Sequence, residues 1–183
     1  MIVIGASVGG LQAIQLLLAQ LPASVTLPIA IVMHRHRDSA SGLVEILQRD
    51  SVLTATEVVD KERIEGGRVY LAPADYHLLI DGDHFALSVD DPVLYARPSI
   101  DVLFESAAAE RGRDAIGIVL TGGSADGARG AAAIENSGGT VIVQAPEEAT
   151  CSDMPLSAIA ATRHPEIFAI EAIARRIVEL ASK

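Results

Sequence analysis

The sequence is poor in aromatic residues, since its 183 residues include three phenylalanines, three tyrosines and no tryptophan. Single-stranded nucleic acids bind by stacking bases on aromatic side chains, and this chain has little material for that. Positive charge is also scarce, because 14 lysines and arginines stand against 24 aspartates and glutamates, giving a formal net charge of −10. Neutralisation of phosphates dominates affinity for nucleic acids, so this balance argues against nucleic acid as a partner.

Three further features concern the cellular compartment. The single cysteine, Cys151, excludes an intrachain disulfide and suits a reducing environment. No apolar run approaches the roughly 20 residues of a membrane span. The N-terminus lacks the charged segment and cleavage site of a signal peptide. We therefore expect a soluble cytoplasmic protein without membrane insertion.

The length and pattern of the chain predict one α/β domain. Half of the residues are apolar, and no repeat or linker divides residues 1–183, so we expect a single domain. Apolar runs that are typical of strands alternate with helical patterns and predict a doubly wound, mostly parallel sheet covered on both faces. The predicted strands lie at 29–33, 115–120 and 140–143, and the predicted helices at 42–48, 126–136 and 170–181.

The middle of the chain has a different pattern. Three short strand-like runs, at 66–72, 76–80 and 85–89, are separated by the turn residues Pro73-Ala74-Asp75 and Asp81-Gly82-Asp83. This spacing predicts an antiparallel hairpin or meander appended to the parallel sheet.

The N-terminal apolar run ends directly at Gly5-Ala6-Ser7-Val8-Gly9-Gly10, and an amphipathic pattern follows at 11–21. Gly5-x-Ser7-x-Gly9 has the spacing of a nucleophile elbow, in which a sharp turn exposes a serine hydroxyl at the start of a helix. The free N–H groups there favour negative charge. Two other interpretations remain open: a plain strand-to-helix turn, and a phosphate cradle, because Gly5-x-Ser7-x-x-Gly10 resembles a dinucleotide fingerprint.

Two other predicted strands also end in polar residues. His34 follows the apolar run 27–33, and Asp126 follows the run 116–120 within the segment 121–127. Ligands gather at the carboxyl ends of parallel strands, and Ser7, His34 and Asp126 are the residue types that nucleophilic acyl transfer requires. His34 could instead bond a backbone carbonyl, and Asp126 could cap the helix that follows it.

The remaining chemistry-bearing residues give weaker signals. The other histidines outside this region, His77, His84 and His164, are interpreted as surface or structural residues. Cys151 is interpreted as a small buried or incidental thiol rather than as a nucleophile. His34-x-His36 alone is too little for zinc, so we predict neither a metal site nor a cofactor.

Four arginines lie within three residues of the motifs above and form either solvated surface charges or a cationic rim that could attract acidic helices. They are Arg35, Arg37, Arg97 and Arg129.

Five blocks, taken in order, resemble the catalytic domain of the chemotaxis methylesterases, the CheB family. They are Gly5-Ala6-Ser7-Val8-Gly9-Gly10, Val32-Met33-His34, the segment 70–78, Arg97-Pro98-Ser99-Ile100-Asp101 with the three residues that follow, and the segment 120–128. The resemblance implies a three-layer α/β domain that hydrolyses glutamate γ-methyl esters on the cytoplasmic helices of methyl-accepting chemoreceptors. It also implies deamidation of selected glutamines.

The resemblance assigns roles to particular residues. Ser7 would be the nucleophile, His34 the general base and acid, and Asp126 the carboxylate that orients the imidazole. Backbone N–H groups near Val8 are the candidate oxyanion donors, and further candidates for the oxyanion hole or substrate pocket are Gly9, Gly123 and Arg97.

The chain departs from the family pattern in several places. Val8 stands where the family has threonine, and Thr121-Gly122-Gly123-Ser124 replaces Thr-Gly-Met-Gly. The segment 148–154 is about two residues shorter than the usual loop. The family normally carries an N-terminal receiver domain, so the chain is interpreted as an excised domain or a stand-alone form.

Alternative functions are a related carboxylesterase or amidohydrolase and a non-catalytic module that binds phosphate or nucleotide.

Overall fold

The computed structural model of the chain describes residues 1–35 and 42–182. Strands and helices alternate along most of this length, and a 3-10 turn at Gly112–Asp114 precedes the seventh strand. In chain order the elements are β1 (Ile2–Ala6), α1 (Gly10–Leu18), β2 (Ile29–Met33), α2 (Leu43–Asp50), β3 (Thr54–Glu57), β4 (Arg68–Leu71), β5 (His77–Asp81), β6 (His84–Ser88), α3 (Ile100–Arg111), β7 (Ile116–Val119), α4 (Ala128–Asn136), β8 (Thr140–Gln144), α5 (Asp153–Ala161), β9 (Glu166–Phe168) and α6 (Ile170–Ala181).

Seven strands form one parallel sheet in the order β3-β4-β2-β1-β7-β8-β9, and β5 and β6 form a separate antiparallel hairpin. From β1 the chain first builds the β2 side of the sheet and later returns to place β7 on the other side of β1. The strand order therefore reverses at β1, and parallel α/β sheets bind ligands at the carboxyl ends of strands beside such a reversal. Ser7 and His34 directly follow β1 and β2.

Helices cover both faces of the sheet and give the molecule three layers. The side chains of β1 alternate, so that Ile2, Ile4 and Ala6 face the core formed with α1, α2 and α6. Val3 faces the second core, which includes α3, α4, α5 and the β5–β6 hairpin. Burial on both faces explains why these strands have continuous apolar sequences.

The structure confirms the predicted fold class and the appended hairpin, but it corrects the extent of the antiparallel region. β4, predicted as the first strand of a meander, lies in the parallel sheet between β3 and β2. Three consecutive residues of β4 are buried, Val69, Tyr70 and Leu71. This is the burial expected of a strand covered on both faces rather than of a surface hairpin.

None of the helices in the described part of the chain is both long and apolar enough to cross a membrane.

Candidate active site

Ser7 lies in a tight turn between β1 and α1. Its N–H donates to the Thr121 carbonyl at 2.9 Å, and its own carbonyl accepts from the Gly10 N–H at 2.8 Å. Gly9 caps α1 in a left-handed conformation, with φ of 77°. A Cβ at Gly9 would also lie 2.5 Å from Thr150. Glycine is therefore required at position 9, because the backbone there is left-handed and Thr150 leaves no room for a side chain. The turn holds the half-buried Ser7 at the N-terminus of α1.

His34 occupies the equivalent position on the neighbouring strand. Ala6 and Met33 are paired in the β1–β2 register, and the His34 N–H donates to the Ala6 carbonyl at 3.0 Å. Neighbouring strands lie about 4.8 Å apart, so the backbones of Ser7 and His34 are adjacent. Among residues 1–35 and 42–182, no hydrogen bond joins the Ser7 hydroxyl to the His34 ring. Catalytic hydrogen bonds are often long in a free enzyme and tighten when the substrate binds.

Asp126 lies against the imidazole ring of His34. Its Oδ2 is 2.7 Å from Nε2 of the imidazole, and the Asp126 side chain is 0% exposed while that of His34 is 16% exposed. This contact joins residues that are 92 positions apart in the sequence. The structure thus brings together His34, which follows β2, and Asp126, from the loop between β7 and α4, beside the end of β1 where Ser7 lies.

Four further hydrogen bonds involve Asp126. Its carboxylate accepts from the Ser99 hydroxyl at 2.8 Å, the Ile100 N–H at 2.7 Å and the Asp101 N–H at 2.9 Å, while its own N–H donates to the Ser124 hydroxyl at 3.2 Å. Ile100 and Asp101 open α3, whose free N–H groups favour an anion. These hydrogen bonds fix the orientation of the carboxylate and offset the free-energy cost of burying its charge.

The pKa of Asp126 reflects these opposing effects. Burial by itself raises the pKa, but the hydrogen bonds from His34, from the Asp101 and Ile100 N–H groups and from Ser99 outweigh it. The net pKa lies below the ordinary value for aspartate, so Asp126 is a carboxylate at neutral pH.

The interpretation of Asp126 as a cap of its own helix is wrong. The N-cap of α4 is Gly127, and it makes no side-chain capping bond. The carboxylate of Asp101, from α3, instead accepts the N–H groups of Gly127 at 2.9 Å and Gly130 at 2.8 Å. Asp126, which precedes α4, therefore caps the N-terminus of α3, and Asp101, in the first turn of α3, caps the N-terminus of α4.

The pKa of the buried Asp101 shifts in the opposite direction to that of Asp126. Burial raises its pKa, and the nearby Asp126 charge raises it further, while the Gly130 and Gly127 N–H groups and Arg129 oppose that rise. The net pKa of Asp101 lies above its ordinary value.

Sequence reasoning did not single out Asp101 or Ser99 as site residues, although both lie in the block Arg97-Pro98-Ser99-Ile100-Asp101.

Thr121 holds the serine turn against the loop before α5. Its buried hydroxyl donates to the Val8 carbonyl at 2.8 Å and lies 3.2 Å from the Cys151 carbonyl. It also accepts from the Cys151 N–H at 2.9 Å. Met154 N–H donates to the Gly122 carbonyl at 2.9 Å. Three segments that are distant in sequence are thereby fixed around Ser7.

Three backbone amides are candidates for the oxyanion hole or substrate pocket, those of Val8, Gly9 and Gly123. A Cβ on Gly123 would lie 3.7 Å from the Val8 side chain and 3.5 Å from the Cys151 sulfur, so Gly123 and Val8 are neighbours. Within the described ranges, the N–H groups of Val8, Gly9 and Gly123 donate no hydrogen bond to another residue. They are available to a ligand.

A cleft of about 450 Å³ opens beside His34. Arg97 lies in its wall, as predicted for a pocket residue, but its guanidinium is engaged with the protein. Arg97 donates to the Asp75 carboxylate at 2.7 Å and to the carbonyls of Val89 at 2.8 Å and Asp90 at 3.1 Å. Its evident role is to fix the loop that forms the cleft wall.

The predicted cationic rim consists of paired rather than free charges. Arg35 bonds Glu57 at 2.5 Å, Arg97 bonds Asp75, and Arg129 bonds Glu105. Each described rim arginine thus has a carboxylate partner that offsets its charge. Arg37 and His36 lie outside the described residues.

Of the other described histidines, only His77 adjoins this site, through the backbone of Ser99. His77 is buried, accepts the Ser99 N–H at 3.2 Å through Nδ1 and lies 3.2 Å from the Asp91 carbonyl through Nε2. His77 is therefore structural, whereas His84 and His164 are exposed. In the described part of the chain, no group of three or more histidine, cysteine or acidic residues could hold a metal ion.

Comparison with known proteins gives one consistent family. The sequence profile of the CheB methylesterase domain matches residues 2–177. A protein of Leptospira interrogans, named provisionally as a protein-glutamate methylesterase/protein-glutamine glutaminase, is 41% identical over 180 residues, which are 98% of this chain and 93% of the relative.

A second relative and one solved structure agree with this result. A protein-glutamate methylesterase/protein-glutamine glutaminase of Chromohalobacter salexigens is 36% identical over 98% of this chain, which spans 52% of that protein. The crystal structure of the CheB methylesterase catalytic domain of Thermotoga maritima matches with a TM-score of 0.94 and 31% identity, covering 98% of this chain and 97% of that one.

Proposed function

The chain belongs to the CheB methylesterase family and is an enzyme of that family; from this premise we propose that Ser7, His34 and Asp126 form its catalytic triad. The proposed reaction is hydrolysis of glutamate γ-methyl esters on the cytoplasmic helices of methyl-accepting chemoreceptors. The observation that carries the proposal is the 2.7 Å contact between His34 and the buried Asp126, at the strand end next to Ser7.

The hydrogen bonds of Asp126 determine how His34 would act. An ionised carboxylate can only accept, so Nε2 of His34 must carry the proton that faces Asp126. Nδ1 is then the unprotonated ring nitrogen and accepts the proton of the Ser7 hydroxyl. The negative charge of Asp126 stabilises the imidazolium that results.

The chemical steps follow from these roles. Ser7 Oγ attacks the ester carbonyl, and His34 returns its proton to the departing methoxide, which leaves as methanol and an acyl-enzyme. Water then attacks the acyl-enzyme with His34 again as base, which releases the glutamate carboxylate and restores Ser7. A side-chain amide attacked in the same way would release ammonia, so deamidation of selected glutamines belongs to the same proposal.

The unpaired amides beside Ser7 supply the electrostatic part of catalysis. We propose that N–H groups of Val8, Gly9 and Gly123 stabilise the oxyanion of the tetrahedral intermediate. A single preorganised donor of this kind can contribute about 3 kcal/mol. The position at the start of α1 adds to this effect, because the N-terminal end of a helix favours negative charge.

Two further proposals concern organisation and location. We propose that residues 1–183 fold as one domain, since the first and the last strands belong to one sheet. Receptor helices as the substrate imply a cytoplasmic enzyme, and a receiver domain remains the expected regulatory partner from the family resemblance.

The direct test is methanol release from a methyl-esterified receptor fragment by Ser7→Ala. Loss of the nucleophile should reduce turnover about 10³-fold or more. Ser182→Ala is the control, because among the described residues that hydroxyl bonds only the Val178 carbonyl in the last turn of α6, and it should retain wild-type turnover. Undiminished turnover in Ser7→Ala would refute the proposed role of Ser7. Hydrolysis of small esters without demethylation would favour a related carboxylesterase.

A further inference from the structure

The cleft beside His34 is too small for a whole substrate helix. It measures about 450 Å³, whereas a single turn, about 5.4 Å long, of an α-helix about 10–12 Å across already fills roughly 400–600 Å³. Under the proposed function, a glutamyl ester can enter the cleft, but the polypeptide that carries the ester must lie on its rim. The residues on that rim therefore contact the substrate beside the reacting group.

One part of the rim is a two-residue turn with an unusual sequence. Val93 and Ala96 exchange two backbone hydrogen bonds, at 3.1 and 2.8 Å, and Leu94 and Tyr95 between them have φ of 47° and 65°. Turns with positive φ at both central positions favour asparagine and glycine. Leucine and tyrosine are unfavourable there, because their Cβ atoms crowd the backbone in the left-handed conformation. The requirements of the turn do not account for these two side chains.

The same two side chains are exposed rather than packed. Tyr95 is 103% exposed and Leu94 is 52% exposed, although both are large and apolar. Both also line the cleft that contains His34 and Ser124. They form an apolar projection at the entrance to the candidate active site.

The base of this projection is fixed. The Arg97 guanidinium donates to Asp75 and to the carbonyls of Val89 and Asp90, and buried His77 lies 3.2 Å from the Asp91 carbonyl. The turn is therefore held in place before any substrate arrives. Prior ordering of a contact residue reduces the entropy lost on binding.

We propose that the Leu94–Tyr95 turn binds an apolar side chain on the substrate helix, about one helical turn from the methyl-esterified glutamate. This inference rests on the proposed function and adds the substrate contact that selects the helix. Under the proposed function the occupant is a receptor helix, in which residues three or four positions apart lie on the same face. One can thus lie against the turn while the other enters the cleft. Exposed tyrosines in such positions are frequent sources of binding energy.

The test replaces both residues with those that the turn prefers, in the double variant Leu94→Asn with Tyr95→Gly. This variant relieves the backbone conflict and should fold at least as stably as the wild type, while it removes the apolar surface. We expect kcat/KM for a methyl-esterified helical receptor fragment to fall about tenfold or more, mainly through KM. Hydrolysis of p-nitrophenyl acetate should stay within about twofold, because that ester carries no polypeptide to lie against the projection formed by Leu94 and Tyr95 at the cleft entrance.

Val52→Asn is the matched control, because Val52 is 68% exposed and does not line the cleft. It should leave both activities unchanged. Equal losses on the receptor fragment and on the small ester would show that the turn acts only on the shape of the site and would overturn the inference. An unchanged kcat/KM for the fragment would overturn it as well. If the wild type itself releases no methanol from the fragment, the proposed function fails and the inference fails with it.

Discussion

At the scale of single residues, the absence of a side chain at position 122 keeps the site open. A Cβ at Gly122 would lie 2.5 Å from Met154 Cε and 2.9 Å from Ser7 Cβ. Met154 can move its flexible end, but Ser7 Cβ moves only with the backbone of the serine turn. The neighbouring Gly123 differs, because the contacts of a Cβ there, at 3.5 and 3.7 Å, are ordinary.

This difference predicts that Gly122→Ala displaces Ser7 while Gly123→Ala is tolerated. Misplacement of a reacting group by about 1 Å can cost about 100-fold in rate, so we expect Gly122→Ala to reduce kcat by about 10- to 100-fold. Gly123→Ala retains its N–H group and should keep most of the activity. Methanol release and the midpoint of thermal unfolding, measured for both variants, check this. Equal activities of the two variants would contradict it.

The sequence indicated Ser7 and His34 because each directly follows an apolar strand, and Asp126 because it lies in the loop after another apolar strand. It did not indicate Ser99 or Asp101, because their role depends on the approach of α3 to α4, which no local pattern encodes. Arg97 was a candidate for the substrate pocket and lines the cleft, but its partners Asp75, Val89 and Asp90 could be identified only from the structure.

At the scale of elements, the paired caps couple α3 and α4 to the site. The pKa of Asp126 lies below its ordinary value, so the stability that this carboxylate supplies is present above the unfolded-state pKa, about 4. That stability is lost as the pH falls through the lower folded-state pKa. For Asp101, the folded-state pKa is raised, so its contribution is fully present at low pH and declines as the pH rises from about 4 through the raised value.

We therefore predict opposite pH dependences for two isosteric variants. The destabilisation caused by Asp126→Asn should shrink as the pH falls below about 4, whereas that caused by Asp101→Asn should be greatest at low pH and shrink as the pH rises. The measurement is the free energy of unfolding from urea titrations between about pH 3 and pH 7. Parallel pH profiles for the two variants would contradict the described environments of these carboxylates.

The elements differ in how well the sequence predicted them. Residues 29–33 and 170–181 form the predicted strand and helix, because β2 is a continuous apolar run and α6 has a strongly amphipathic pattern. β3 and β9 were not predicted, since they are edge strands of four and three residues that are only partly buried. α5 was not predicted either, and it begins with Asp153-Met154-Pro155, where proline is accepted only because it lies in the first turn.

At the scale of the whole molecule, the single sheet predicts one cooperative unfolding transition. Strands from both ends of the chain meet in this sheet, and the cores on its two faces share β1, β2, β4, β7 and β8. The far-ultraviolet circular dichroism and the tyrosine fluorescence should therefore change together. Tyr70 is a suitable reporter because it is buried, with its ring centroid 4.8 Å from that of Phe85. Two separated transitions would contradict the proposal of one domain.

The central claim is that Ser7 is an activated nucleophile, and covalent labelling with a fluorophosphonate tests it most directly. The wild-type protein should take up one label, and mass spectrometry of its peptides should locate that label on Ser7. Asp126→Asn should slow labelling, because His34 would lose the carboxylate that orients it. A label on another serine, or efficient ester hydrolysis by a protein whose Ser7 remains unlabelled, would contradict the account.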